Sequence, residues 1–500
     1  MSRPPTTRSL TDAARDLLLD AGTVYRGDPS TADWLAYQVD RLDEPLRLAI
    51  AGKVKAGKST LLNALVGEQL APVDAGECTK VVTWYRDAPH SAVTMVGTDG
   101  GLHELPVDRR DGALLIDLGG ASADDVEMLV VDWPSQSLRT ATLIDTPGLS
   151  SLSHEVGRRT LRFLHPDDER PTDADAVLYL MRHLHAGDAQ FLEAFRGQGV
   201  AQTASVNSLA VISRADEIGG GRVDAMVSAR QIARRYRADP ALRGLAQNIV
   251  AVAGLVAETG RTLRQTEFTV LAALARQPKG DIESSLLTVD RFVAPDSPIA
   301  RAVPELTATE RAGLLRRFGV FGLRLSTMLL RQGVDTPAAL AADLVRRSGL
   351  AELQTALNSQ FIERRAVLKA RSALLAVHQV VQDDPVPGSR ELSAELERLL
   401  TGAHEFVELR LLGELRFGSV TLPAPIAAEG SALLGEAGAA TAARLGQPAD
   451  ASADDLRAGA FDALARWQEH AENPMLDRAV TAACRTVVRT CEGLVSSLRD

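Results

Sequence analysis

Cysteine, long apolar runs and excess positive charge are all scarce in this chain of 500 residues. Its three cysteines, Cys78, Cys484 and Cys491, are too few for a disulfide framework, which favours a reducing compartment. No uncharged apolar run reaches the roughly 18 residues of a membrane span, and the N-terminus lacks the apolar core of a signal peptide. We therefore expect a cytoplasmic protein whose contact with any membrane is peripheral.

The charge balance excludes another class of function. Lysine and arginine number 55 against 65 aspartate and glutamate residues, so the formal net charge is -10. Proteins that coat nucleic acid usually need a broad positive field, and the sequence shows no RNA-binding module with interleaved aromatic residues. We expect no nucleic-acid partner. A hydrophobic content of 45% instead suits a folded chain with two to four domains.

The chain divides into three parts by its apolar pattern. Residues 9–43 read as two helices broken at RGDPS, where Pro29 stops the first helix and Ser30 caps the second. From 46 to about 255, short apolar runs alternate with amphipathic stretches. Such alternation predicts an α/β domain, with a mostly parallel sheet and helices on both faces. The predicted strands are LRLAIA, VVTWYR, EMLVVDW, ATLID, AVLYLM, SLAVIS and IVAVAG.

From about residue 261 the strand pattern nearly disappears, and Ala, Leu, Arg and Glu dominate. This part is predicted to be an all-α helical bundle that the N-terminal helices join. The expected boundaries are 1–44 for the N-terminal helices, 45–280 for the α/β domain and 281–500 for the bundle.

The stretch GKVKAGKST, residues 52–60, matches the Gly-x-x-x-x-Gly-Lys-Ser phosphate loop and lies between a predicted strand and a predicted helix. Gly52 and Gly57 let the backbone wrap so that its amides face phosphate oxygens. Lys58 brings a charge to the β- and γ-phosphates, and the Ser59 hydroxyl is a ligand for Mg²⁺. The predicted nucleotide contacts in this loop are Gly52, Lys53, Val54, Lys55, Ala56, Gly57, Lys58, Ser59 and Thr60.

A second motif, ATLIDTPGL, follows far along the chain. Asp145 at the strand end is predicted to hold Mg²⁺ through a water, while the Gly148 amide reaches the γ-phosphate. A loop of this kind orders when the γ-phosphate is present and relaxes when it leaves. Thr79 lies 21 residues after Lys58 and is predicted to close over the metal ion.

The third motif selects the base. SLAVISRADEIG is a strand followed by Ser-Arg-Ala-Asp. An ionised carboxylate only accepts hydrogen bonds, and guanine presents two adjacent donors, so Asp216 selects guanine over adenine. The stem of Arg214 is predicted to lie along the base, and the Gly254 backbone to lie near it. The order of the motifs predicts GTP as the bound nucleotide.

A basic amphipathic segment covers 311–331. Leu314, Phe318, Phe321, Leu325 and Met328 recur at three- and four-residue steps and share one helix face. Such a helix either packs inside the protein, which we favour, or lies on an acidic membrane surface.

These motifs resemble those of bacterial dynamin-like proteins. The resemblance rests on KAGKSTLLNAL, on a TPG switch without a following Gln, on the long segment between Thr79 and Asp145, and on helices flanking the α/β domain. SRADEIGGGRVDAM, LRQTEF and RFGVFGLRLS extend it over most of the chain. It implies a large GTPase that hydrolyses GTP with Mg²⁺, pairs with itself or a related partner through its nucleotide face, and remodels anionic membrane at the inner face of the cell membrane.

The resemblance also assigns roles to residues. It places phosphate and magnesium contacts on Lys58, Ser59, Thr79, Asp145 and Gly148, and base recognition on Arg214 and Asp216. The catalytic residues it implies are Lys58, Thr79 and Gly148.

The sequence departs from the dynamin pattern at two points. Val54 and Lys55 stand where the family has Gln-Ser, so the Lys55 ammonium is either a substitute for a bound monovalent cation in catalysis or a solvated charge. The base motif has Ser-Arg in place of Thr-Lys. Leu149 and Ser150 follow Gly148, so the chain also lacks the Gln with which many small GTPases orient the attacking water. These departures keep open a slow GTP-binding partner subunit of a hetero-assembly, and a ribosome- or RNA-associated GTPase is the remaining alternative.

Overall fold

The computed structural model describes residues 9–72, 80–110, 112–148, 173–182, 192, 207–239 and 245–498. Thr79, Leu149 and Ser150 lie outside the described residues, so the predicted metal-closing role of Thr79 stays a prediction.

A nine-stranded mixed sheet forms the centre of the α/β part, in the order β11-β10-β9-β1-β8-β2-β7-β3-β4. Five of its neighbouring pairs are parallel and three are antiparallel, which confirms a mostly parallel sheet. β5 and β6 form a separate hairpin. The strands are β1 Leu46–Gly52, β2 Val82–Asp87, β3 Ala92–Gly97, β4 Leu102–Leu105, β5 Asp108–Arg110, β6 Ala113–Leu115, β7 Val126–Trp133, β8 Ala141–Asp145, β9 Ala176–Met181, β10 Ser208–Ile212 and β11 Ile249–Ala251.

All seven predicted strands are present, and the central ones are apolar on both faces. Along β1, Ala49 and Ala51 belong to one buried cluster while Leu48 and Ile50 belong to another, because successive side chains alternate across a sheet. Of the strands that the sequence did not predict, β4 and β5 are largely exposed, β6 has three residues, and β3 is only partly buried. Their side chains therefore lack the continuous apolar run that marks a buried strand.

Helices cover both faces of the sheet and form the rest of the described chain after residue 253. They are α1 Leu10–Val24, α2 Pro29–Arg41, α3 Lys58–Val66, α4 Ala225–Arg237, α5 Gly254–Arg261, α6 Gln265–Arg276, α7 Lys279–Ser285, α8 Val289–Val293, α9 Pro298–Ala302, α10 Ala308–Arg331, α11 Pro337–Arg347, α12 Leu350–Leu357, α13 Arg365–Asp383, α14 Ser389–Gly402, α15 His404–Arg416, α16 Ala424–Leu433, α17 Thr441–Arg444, α18 Ala453–Glu472 and α19 Arg478–Ser497.

The break between α1 and α2 falls where the sequence placed it, but its cap differs. Asp28 is the N-cap of α2, its side chain accepts from the Ser30 amide, and Pro29 is the first helical residue. The expectation that Ser30 caps the helix was wrong: proline is favoured at the first helical position, so the helix starts at Pro29 and its cap lies two residues earlier than expected, at Asp28.

The N-terminal helices join the helical part of the chain, as predicted. Leu17, Leu18 and Leu35 pack in one cluster with Leu374 of α13 and Leu396 of α14. A further cluster unites α15, α16, α18 and α19 around the fully buried Trp467. Among the described residues, no helix is both long and apolar enough to cross a membrane.

The amphipathic segment 311–331 lies within α10, and its apolar face is buried. Leu314, Phe318, Phe321 and Leu325 belong to the cluster that covers one face of the sheet, and α10 contacts α5 and α6. This confirms the packed alternative, since the face that a membrane would need is already occupied.

Candidate nucleotide-binding site

The phosphate loop connects β1 to α3 through three left-handed or extended backbone positions. Gly52 has φ 150°, and a Cβ atom there would lie 2.5 Å from the Leu180 carbonyl oxygen of β9, so no side chain fits. Gly57, with φ 90°, precedes α3. Lys55 has φ 62°, which is uncommon for a residue other than glycine and points to a backbone held for function.

Lys58, Ser59 and Asp145 meet at the carboxyl end of β1 and β8. These strands are parallel neighbours with Ile50 opposite Asp145, so the start of α3 and the end of β8 come together. The Ser59 hydroxyl donates to Asp145 Oδ2 at 2.7 Å, and Lys58 Nζ donates to the Gly52 carbonyl at 3.4 Å. Two segments separated by 86 residues in sequence thus form one polar cluster.

Burial dominates the ionisation of this cluster. It lowers the pKa of Lys58, an effect that the nearby Asp145 charge opposes. It raises the pKa of Asp145, which Lys58 and the Ser59 hydroxyl oppose. Asp145 Oδ1 is buried and has no hydrogen-bond partner among the described residues. An unsatisfied buried carboxylate oxygen is costly and suits a site that a cation completes.

Gly148 approaches the phosphate loop closely. A Cβ atom at Gly148 would lie 2.4 Å from Val54 Cγ2 and 2.7 Å from Val54 Cα. Any side chain at position 148 would therefore displace Val54, which stands at a position where the sequence departs from the dynamin pattern. The loop after β8 consequently lies directly against the phosphate loop.

The base motif follows β10. Arg214 has φ 51°, and a short 3-10 segment, Ala215–Gly220, begins after it. Asp216 is 7% exposed, and burial raises its pKa to about 6; the Glu217 charge also raises it, while Arg214 and Arg182 lower it. Glu217 accepts from Arg214 Nη1 at 2.6 Å and also pairs with Arg182.

One open pocket connects the phosphate loop with the base motif. Gly254 enters it as the first residue of α5, next to β11, and Arg316 enters it from α10. The pocket is lined by Ala56, Gly57, Thr60, Leu61, Leu180, Val211, Ser213, Arg214, Asp216, Glu217, Val252, Gly254, Leu255 and Arg316.

The structure therefore brings three predicted segments together. Ala56, Gly57 and Thr60 share the pocket with Arg214, Asp216 and Gly254, and Lys58 and Ser59 lie between its lining residues in sequence. Lys53, Val54 and Lys55 belong to the loop but not to the pocket lining.

Sequence reasoning missed four charged residues around the site: Arg182, Glu217 as an arginine partner, Glu258 and Arg316. Glu258 is buried in α5 and accepts from Gln69 Nε2 at 2.9 Å and Asn63 Nδ2 at 3.4 Å. Burial raises its pKa.

Arg316 had a visible signal in the sequence, the basic amphipathic segment, but its position in the pocket depends on long-range packing. The sequence had no comparable signal for Arg182 or Glu258.

Comparisons with known proteins place the chain among dynamin relatives. Residues 48–99 match the model of the Dynamin family. The chain is 41% identical over 494 residues to the isoniazid-induced protein IniC of Mycobacterium tuberculosis, which covers 98% of this chain and 99% of that protein. A bacterial dynamin-like protein of Nostoc punctiforme is 29% identical over 177 residues, or 32% of this chain and 24% of that protein.

A solved structure of an oligomerised bacterial dynamin pair aligns with 99% of this chain and 81% of its own, at 14% identity. Its TM-score of 0.31 is too low for an argument about the arrangement of this chain.

Proposed function

The chain belongs to the dynamin family, and from this premise we propose that it binds and hydrolyses GTP with Mg²⁺ and couples GTP-dependent pairing to membrane remodelling. The observation that carries the proposal is the hydrogen bond from the Ser59 hydroxyl to Asp145 Oδ2, 2.7 Å long, beside Lys58. It joins the phosphate-loop hydroxyl to the switch carboxylate, the two protein groups that a nucleotide-bound magnesium ion needs.

The oxygen atoms at this position suit Mg²⁺. The hydroxyl of Ser59 and the carboxylate of Asp145 are hard oxygen donors, and Asp145 Oδ1 lacks a partner among the described residues. When bound, the ion supplies positive charge to the β- and γ-phosphate oxygens. The Ser59–Asp145 hydrogen bond preorganises the two side chains for that role, with Thr79 proposed to complete the set.

Lys58 supports the same phosphates from the loop. Its ammonium lies against the Gly52 carbonyl, and burial, which lowers its pKa, is offset when phosphate charge enters the site. The backbone amides of the loop, with Lys55 in its left-handed conformation, add neutral donors. Lys58, Gly148 and Thr79 are the residues to which we assign transition-state stabilisation.

Guanine selection is assigned to Asp216. Its carboxylate accepts from the ring N–H and the exocyclic amino group of guanine, a pair of donors that adenine does not offer. Arg214 and Gly254 line the same pocket and are proposed to support the base.

Lys55 is proposed to act in cis in place of a monovalent cation. Lys55 follows Val54 in the phosphate loop, and Val54 lies against Gly148 of the loop after β8. Turnover measured in potassium, sodium and choline buffers tests this. Equal rates in all three support the assignment, whereas strong activation by potassium in the unmodified protein contradicts it.

Membrane remodelling is proposed on family grounds. GTP-loaded chains would pair through the nucleotide face, with themselves or with a related dynamin-like partner, at the inner, anionic face of the cell membrane. The helices of 281–500, with the N-terminal helices of 1–44, would carry the change away from the 45–280 domain.

The first experiment is GTP turnover by the purified chain, with and without anionic liposomes, beside Lys58→Ala. Turnover that rises severalfold on liposomes and disappears in the variant supports a membrane-stimulated dynamin. Slow turnover indifferent to lipid, with GTP still bound, contradicts that proposal and indicates a partner-dependent subunit.

A further inference from the structure

Helix α10 carries five arginines, and four of them are committed to other parts of the protein. Arg311 donates to the carbonyls of Phe292, Val293, Ala294 and Leu306, and Arg317 pairs with Glu267 and donates to Thr262. Arg324 donates to the carbonyls of Gly220, Gly221 and Leu286. Arg331 donates to the carbonyls of Ala275 and Gln277.

The fifth, Arg316, has no hydrogen bond or ion pair with any described residue. It is exposed, and it lines the pocket together with Asp216, Arg214 and Leu255. Every other guanidinium of α10 has a structural task, so the guanidinium of α10 that lacks a partner within the described part of the chain is also the one that enters the candidate nucleotide site. An unpaired guanidinium with five donors at a pocket wall is a ready contact for an acceptor-rich ligand.

A break in α10 holds Arg316 at the base end of the pocket. Gly319 has φ 62° and ψ 176° in the middle of the helix, and a Cβ atom there would lie 3.8 Å from Asp216 Oδ2 and 3.3 Å from Leu255 Cδ2. The carbonyl of Arg317, next to the break, accepts from the Thr259 hydroxyl of α5. Arg324, one turn beyond the break, holds the loop after Asp216 through Gly220 and Gly221.

We propose that Arg316 is a nucleotide-binding residue that contacts the guanine base, so that a side chain 62 residues beyond Gly254, the start of α5, completes the base site. The inference rests on the proposed function of this same pocket. Guanine donates two hydrogen bonds to Asp216, and it also offers an aromatic face and the acceptors O6 and N7. A guanidinium can stack on the face or donate to these acceptors. Arg316 lies among base-motif residues, which favours the base over the phosphates.

The contact has a consequence for α10. This helix packs against α5 and α6 and reaches, at its other end, the carbonyls of Ala275 and Gln277. A nucleotide that engages Arg316 therefore restrains α10 directly, and loss of the nucleotide releases that restraint.

The test compares nucleotide affinities of the full-length chain with those of Arg316→Ala and Arg316→Lys. The matched control is Arg331→Ala, at the far end of the same helix and outside the pocket. We expect Arg316→Ala to weaken binding of fluorescent GDP about tenfold, which corresponds to about 1.4 kcal/mol. The GDP affinity of Arg316→Lys should lie between those of the wild type and Arg316→Ala, because an ammonium keeps the charge but loses the planar contact. The control retains wild-type affinity.

A ligand series separates base from phosphate contact. Arg316→Ala lowers the affinity for GTP, GDP and GMP by the same factor if the guanidinium touches the base; a loss that grows with the number of phosphates overturns that assignment. Hydrogen exchange of 308–318 supplies the second readout: GDP protects this segment in the wild type and not in Arg316→Ala.

Failure of the inference is distinguishable from failure of the proposed function. Wild-type protein that binds guanine and adenine nucleotides equally overturns both. Wild-type protein that prefers guanine, with Arg316→Ala unchanged in affinity and in protection, overturns the role of Arg316 alone. Because Arg316 has no described protein partner, thermal melts of the variant should match the wild type.

Discussion

The phosphate end and the base end of the pocket are assembled in different ways. The phosphate end needs two segments, the loop 52–60 and the end of β8, which parallel pairing brings together. The base end draws on four: the end of β9, the motif after β10, the start of α5 and the broken helix α10. Its ion-paired groups are also more exposed, although Asp216 itself is buried: the side chains of Arg182, Arg214 and Glu217 are each more than a third accessible to solvent.

This difference decides where binding energy and specificity reside. Charges buried against one another at the phosphate end interact strongly because water screens them little. The exposed ion pairs at the base end contribute little to stability and are free to exchange partners when a ligand arrives. We therefore expect substitutions at the phosphate end to abolish chemistry and those at the base end to redirect or weaken binding.

The largest expected effect comes from Asp145→Asn. The amide keeps the size of the side chain but removes the charge that helps to hold Mg²⁺, so kcat for GTP should fall about 10²- to 10³-fold. GTP turnover measured as a function of magnesium concentration tests this. Ser59→Ala should lower kcat in the same way, because both side chains are proposed to hold the same ion. Turnover that survives either change with normal magnesium dependence would falsify the metal assignment.

The next largest effect is a change of base preference in Asp216→Asn. An amide donates where the carboxylate accepts, so it no longer matches the two donors of guanine but matches the additional carbonyl of xanthine. We expect GDP affinity to fall about 100-fold, or about 2.7 kcal/mol, and XDP affinity to rise. Competition binding with GDP, XDP and ADP measures both changes, and a uniform loss for all three would show general damage instead.

The two ends also differ in how well the sequence predicted them. The phosphate end follows from local spacing, because a strand, a glycine loop and a helix place Lys58 and Ser59 without reference to the rest of the fold. The strands with continuous apolar runs were equally readable. Arg316 was recognisable as part of a basic amphipathic helix, yet only the break at Gly319 and the packing of α10 on α5 bring it to Asp216. Such placement depends on tertiary contacts between distant segments.

A smaller effect should appear as a pH dependence at the base end. In the free protein burial raises the pKa of Asp216 to about 6, whereas guanine binding needs the ionised carboxylate. Affinity for GDP should therefore be full above pH 7 and fall as the pH drops through about 6, by about tenfold between pH 7 and 5. Isothermal titration calorimetry of GDP binding at several pH values between 5 and 7 measures this dependence.

Asp216→Asn with GDP, measured at higher ligand concentration, is the reference for that experiment, since the variant lacks the carboxyl group while the base and the diphosphate stay the same. An identical pH profile in both systems would assign the dependence to the phosphates and contradict the role of Asp216.

The smallest expected effect joins the two ends. Glu258 of α5 accepts from Asn63 of the phosphate-loop helix and from Gln69, so its carboxylate links the base end to the phosphate end. Burial raises its folded-state pKa, so between its unfolded and folded pKa values the folded protein binds more protons, and stability decreases as the pH rises through that interval.

Glu258→Gln removes this titration at nearly constant volume. Relative to wild type, its free energy of unfolding in urea should improve from pH 5 to 7.5 by about 1 kcal/mol or less. The exposed Glu305→Gln should show no such trend, and a Glu258→Gln variant that instead loses stability over this range would mean that the ionised carboxylate stabilises the link between the two ends.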